Sequence, residues 1–151
     1  MITGGCVVSV EVRGQVEMQR LARQLANASR TLLSELSDTA EDSLKPLKPA
    51  IRRSAMDTLP TRGGVDRKIA ASDIRIVKKR NLVRLETRNA YALRTLDEGT
   101  LRHPVFGNRQ KWVTQRVRRG WWTRPTTAAS PRIVREIQRE MQRITNRIGG
   151  V

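Results

Sequence analysis

The sequence predicts an α+β fold: amphipathic helices packed on a small antiparallel sheet, with a long aromatic and basic loop and a C-terminal helix. Two periodicities and their punctuation carry that prediction. Apolar residues recur every three or four positions in some segments and alternate with polar residues in others, and Gly and Pro clusters separate the two kinds. With 151 residues, no internal repeat and no flexible linker, the chain reads as a single domain, 1–151, large enough to bury a core without staples.

The elements follow in order. In 6–13, Val8, Val10 and Val12 alternate with Ser9, Glu11 and Arg13, the period of a strand with one buried face. From Val16 the period lengthens: Met18, Leu21, Leu25, Ala28, Leu32 and Leu36 share one helical face, giving a helix over 15–36. Ser37-Asp38 then reopens the chain, with Asp38 and Glu41 at capping-box spacing before a short helical turn at 39–44. Leu47, Ile51, Ala55 and Leu59 predict a helix over 46–58, with Pro46 and Pro49 in its first turn, where amides lack an intrahelical partner anyway. Pro60-Thr61-Arg62-Gly63-Gly64 is a turn by composition. Ile74 and Ile76, then Val83 and Leu85, alternate around a polar basic turn, a hairpin over 73–88. Leu93 to Leu96 makes a helical turn stopped by Gly99. Residues 100–129 show no sustained period and read as an extended loop. Ser130 as N-cap, Pro131 at the first helical position and the stripe Ile133, Ile137, Met141, Ile144, Ile148 predict a final helix over 131–148, closed by Gly149-Gly150.

Charge is the strongest compositional signal. The formal net is +16, and residues 61–151 hold twenty-two basic against seven acidic side chains while the first sixty residues are nearly balanced. Such a field attracts polyanions, nucleic acid first among them. The bland reading is an Arg-rich coding bias, or pairing with acidic protein neighbours. One cysteine, Cys6, excludes a disulfide within the chain and a cysteine zinc cluster. No stretch has the length of a membrane span, and the first residues lack the pattern of a signal peptide, so synthesis in the cytoplasm is expected.

Little in the sequence points to catalysis. The single histidine, His103, follows Asp97 and Glu98 at no zinc spacing, and no phosphate-binding Gly-rich loop is present. The expectation is a non-enzyme without cofactor, metal or small-molecule substrate. The unusual feature is 103–125, where Phe106, Trp112, Trp121 and Trp122 interleave with Arg. These rings suit base stacking, anchoring in a protein interface, or folding back on the chain's own core. Interface anchoring, by His103, Pro104, Phe106, Trp112, Trp121 and Trp122, is the favoured reading. Lys78, Lys79 and Arg80 at the hairpin tip and Arg116, Arg118 and Arg119 in the loop are the candidate contacts to DNA or to an acidic partner.

The order of these motifs carries a resemblance. Leu59-Pro60-Thr61-Arg62-Gly63-Gly64, Leu93-Arg94-Thr95-Leu96-Asp97-Glu98-Gly99, His103-Pro104-Val105-Phe106-Gly107-Asn108-Arg109, Trp112-Val113 and Gly120-Trp121-Trp122-Thr123-Arg124-Pro125, followed by a C-terminal helix, resemble the neck or tail-completion proteins of long-tailed phages. The version with His103-Pro104-Val105-Phe106-Gly107 and Gly120-Trp121-Trp122-Thr123-Arg124-Pro125 looks like that of phages infecting actinobacteria. Two features depart from that pattern: Trp122 stands where Phe is usual, and the run Arg116-Val117-Arg118-Arg119 stands where Pro is expected before the Gly, which makes this loop more basic. The resemblance implies a structural virion protein at the head–tail junction. It would form a homo-oligomeric ring, six-fold favoured, bound to other neck and tail proteins, with genomic double-stranded DNA passing non-specifically through its channel. The alternative, from charge alone, is a free-standing basic nucleic-acid-binding protein.

Overall fold

The computed structural model describes residues 30–79, 82–88 and 93–149. The strand expected over 6–13, and the helix expected over 15–36 up to residue 29, lie outside the described residues. The fold is α+β, in the order α1 (Arg30–Leu44), α2 (Leu47–Thr58), a 3₁₀ turn (Arg62–Gly64), α3 (Val65–Ala70), β1 (Asp73–Lys79), β2 (Leu82–Arg88), α4 (Leu93–Asp97), β3 (Thr100–Val105), β4 (Asn108–Arg116) and α5 (Thr123–Gly149). The four strands make two separate antiparallel ribbons, β1–β2 and β3–β4.

Helix α1 runs through Ser37-Asp38 without the break expected there. Its inner stripe continues at four-residue steps, with Leu36 packed on the core and Ala40 and Leu44 buried in it, and this packing outweighs the local capping preference. Asp38 instead pairs with Lys78 across 40 residues of sequence. Helix α2 buries Leu47, Ile51 and Ala55. Pro46 precedes it at φ −65 and ψ −18, a helical geometry its ring already favours. At the other end Leu59 is extended (φ −90, ψ 155), as a residue before proline prefers.

In the first ribbon, Ile74 faces Thr87, Ile76 faces Leu85 and Lys78 faces Val83. These pairs share one face, and Ile74, Leu85 and Thr87 are buried. The ribbon packs on α1, and α5 also packs chiefly on α1, with a second contact on α2. The C-terminal stripe of Ile133, Ile137, Met141 and Ile144, all buried, therefore covers helices rather than strands. Helices α1 and α5 run antiparallel: Arg147 pairs with Glu35 at one end, and Arg132 donates to the Ser43 carbonyl at 3.0 Å at the other.

Two expectations fail in the C-terminal third. Residues 100–129 are not an extended loop: 100–116 fold into the β3–β4 ribbon. All nine residues of β4 are exposed, so there is no buried face to impose an alternation on the sequence. The last helix starts at Thr123, not at 131. The amides of Trp122 and Thr123 donate to Asp97 Oδ1 at 2.8 and 3.2 Å, so a carboxylate 25 residues upstream caps the helix. Pro125 takes the first turn and Pro131 sits exposed in the helix interior, where it removes one hydrogen bond, to the Thr127 carbonyl.

Candidate interaction arm

The chain from Gly99 to Gly120 leaves the helical body, turns and returns to it. Its base is a backbone clamp. The Val117 amide donates to the Gly99 carbonyl at 3.0 Å and the Gly120 amide to the Asp97 carbonyl at 2.9 Å. Gly99 lies at φ +92, and a Cβ there would stand 2.5 Å from Arg119 Cγ and 3.0 Å from the Val117 carbonyl oxygen. Only glycine fits that close approach of the two strands. Two segments distant in sequence, 96–99 and 120–123, are thus one structural unit.

The clamp places the aromatic residues in two classes. Trp121 and Trp122 are 1% and 4% exposed, pack edge to face with ring centroids 5.6 Å apart, and belong to the central core. The expectation that they anchor a partner is corrected: they lie directly beneath the Asp97 clamp and contribute core area. Neither indole N–H has an acceptor among the described residues. Phe106 and Trp112 lie on the arm, where Phe106 is fully exposed and Trp112 is 39% exposed.

Arm geometry is unusual at its tip. Val105 pairs with Asn108, leaving Phe106 and Gly107 as a two-residue turn at φ +48 and +78. Two positive φ values match the twist of a hairpin, but the residue ordinarily found at the first of them is Asn, Asp or Gly. A bulky aromatic there costs about 1–2 kcal/mol. The register then shifts, and Arg109, Gln110 and Lys111 bulge from β4 between the Val105–Asn108 and Pro104–Trp112 pairs. The bulge is itself ordered. Asn108 Oδ1 accepts from the Gln110 amide at 2.9 Å, and Trp112 Nε1 donates to the Arg109 carbonyl at 2.7 Å. Arg102 stacks over the Trp112 ring at 5.4 Å, on the face they share with Pro104.

The arm is also acid-free. Between residues 101 and 125 there are seven basic side chains and no carboxylate. Arg116 and Arg118 are exposed, as is Arg119 beside Gly99. The other predicted cluster is different. Lys78 is committed to Asp38 and lies 3.9 Å from Glu41, so it ties the first ribbon to α1. Lys79 is exposed, and Arg80 lies outside the described residues.

His103, Asp97 and Glu98 do not converge. Asp97 caps α5, Glu98 accepts from Arg94 at 3.0 Å, and His103 Nδ1 lies 3.2 Å from the Pro104 carbonyl. Among the described residues no group of three or more His, Cys, Asp or Glu could hold a metal ion, and no described helix is long and apolar enough to cross a membrane. Sequence reasoning missed the role of Asp97. The signal available to it was the Thr-x-Pro step at 123–125, which opens a helix as well as Ser130-Pro131 does. Compared with known proteins, the chain matches no family model, no curated protein and no solved structure.

Proposed function

We propose that this protein is a structural component of a phage neck, joining a DNA-filled head to its tail as one subunit of a ring around the DNA channel. One observation carries the reading most directly: the acid-free β3–β4 arm, with β4 exposed along its whole length and Phe106 held fully in solvent at positive φ. A strained, exposed aromatic on a projecting ribbon is a binding element whose partner is another macromolecule. The motifs that carry the resemblance to neck proteins lie at the clamp and the tip of this arm, which supports the arm as the binding element. In the ring, Phe106 and Trp112 dock on a neighbouring subunit or neck protein, while exposed arginines of the arm face DNA, acidic protein, or both. Phosphate attraction alone suffices for a channel, since no base sequence is read there.

The test is size-exclusion chromatography with light scattering, on the chain alone and mixed with the adjoining neck proteins of the same phage. A multi-subunit ring that forms with those proteins, and is lost in Phe106→Ala/Trp112→Ala, supports the proposal. A monomer that ignores them, yet binds duplex DNA tightly with steep salt dependence, replaces it with the free-standing nucleic-acid-binding reading.

A further inference from the structure

A groove of about 930 Å³ runs between the arm and the segment formed by the 3₁₀ turn and α3. Its floor includes Ile69 and Leu96, 7% and 2% exposed. Every residue of β3 borders it, whereas β4 contributes only Val113 and Gln115. The groove therefore borders both faces of β3 and reaches across one face of the ribbon to Val113 and Gln115. The ladder phase fixes which backbone groups of β3 point away from β4. The Val117 amide bonds the Gly99 carbonyl, and in the antiparallel register this makes Leu101 and His103 the β3 residues that bond β4. Thr100, Arg102 and Pro104 turn their backbone outward. Pro104 has no amide to leave unpaired, which suits an edge strand. The amides of Thr100 and Arg102 thus lie on the edge of β3 that β4 leaves free, a template for a further strand.

The charge of the groove selects what that strand can be. Arg62, Lys68 and Arg102 border it, and no acidic residue does. A second copy's arm, itself basic, would be repelled. A DNA duplex would set phosphates against the apolar floor. We propose that the groove takes an extended acidic segment of a partner protein, added as a third strand along β3. Its alternate apolar side chains lie on Ile69 and Leu96, and its carboxylates meet Arg62, Lys68 and Arg102. Strand addition of this kind takes affinity from the backbone and specificity from alternate side chains. The inference stands independently of the neck assignment.

A fluorescein-labelled octapeptide alternating valine and glutamate is the probe. It should bind the full chain with salt-sensitive affinity and protect the Thr100 and Arg102 amides from hydrogen exchange. Arg62→Glu/Lys68→Glu, both at exposed positions, should weaken binding at least tenfold with an unchanged melting temperature, and Arg62→Lys/Lys68→Arg should keep it. The proposal is overturned if the peptide does not bind, or if a valine–lysine peptide or an octaglutamate binds equally well. Binding that leaves the two amides unprotected, or that duplex DNA displaces, overturns it as well.

Discussion

Single residues separate the arm from the body. Trp121 and Phe106 both read as exposed anchors in the sequence, yet one is buried in the core and the other stands in solvent. Trp121→Ala should cost about 3–5 kcal/mol through lost burial and the cavity left behind, read as a large fall in denaturation midpoint. Phe106→Gly should do the reverse, raising the midpoint slightly by relieving a left-handed backbone, while abolishing partner capture. Equal midpoints for the two variants would contradict this division. Titration gives a second residue-scale test. The Arg147 guanidinium, donating at 2.6 and 3.2 Å, holds the Glu35 carboxyl below its ordinary value. A carboxyl lowered in the folded state stabilises above its unfolded pKa and loses that contribution as pH falls through the folded one. Arg147→Gln should therefore melt below the native protein at neutral pH, and the difference should shrink as pH falls through the lowered folded-state pKa and the carboxyl becomes protonated in both states. A difference that persists in acid would mean Arg147 acts through packing instead.

Elements differ in how far the sequence reveals them, and the reason is burial. Helix α2 and the β1–β2 ribbon were legible because each keeps its core-packed apolar side chains on one face, which writes its period into Leu47, Ile51 and Ala55 or into Ile74, Ile76 and Leu85. The β3–β4 ribbon was not. Its second strand is wet on both faces, and Pro104 reads against a strand although its outward-facing position on an edge needs no amide. The start of α5 was missed for another reason. Its cap, Asp97, comes from 25 residues upstream, and no local window contains that contact. Trp121 and Trp122, read as interface anchors because they sit among arginines, are drawn inward by the same closure. Pro131 marks the cost of the longer helix. Because it is exposed and interior, Pro131→Ala should restore an amide to the Thr127 carbonyl and raise stability by about 1–3 kcal/mol. A fall in melting temperature would show that the proline shapes a bend the core depends on.

Charge is compensated unevenly among the described residues. Acidic side chains of α1 are absorbed by local partners: Glu35 by Arg147, Asp38 and Glu41 by Lys78, and Asp42 by Lys45 at 2.6 Å. The arm has no such compensation, because 101–125 contains no acid. The arm is thus a stretch of uncompensated positive charge that also carries the exposed Phe106 and Trp112. In a ring, that field would be multiplied by the subunit number and focused in a narrow lumen. Charge reversal separates the fold-bound cations from the free ones. Lys78→Glu sets a third carboxylate against Asp38 and Glu41, so it should lower the melting temperature, by an amount equivalent to about 1 kcal/mol. Arg116→Glu/Arg118→Glu/Arg119→Glu should leave that temperature nearly unchanged. Its effect belongs in duplex DNA binding, where each lost phosphate contact lowers the slope of log affinity against log salt by about 0.9. If these arginines face the channel, the triple reversal flattens that slope while subunits still associate. If the slope stays and association with neck partners fails instead, the arm's charge meets acidic protein, where complementarity fixes register more than affinity. If neither changes, the arm binds through Phe106 and Trp112 alone, and its arginines are a solvated face.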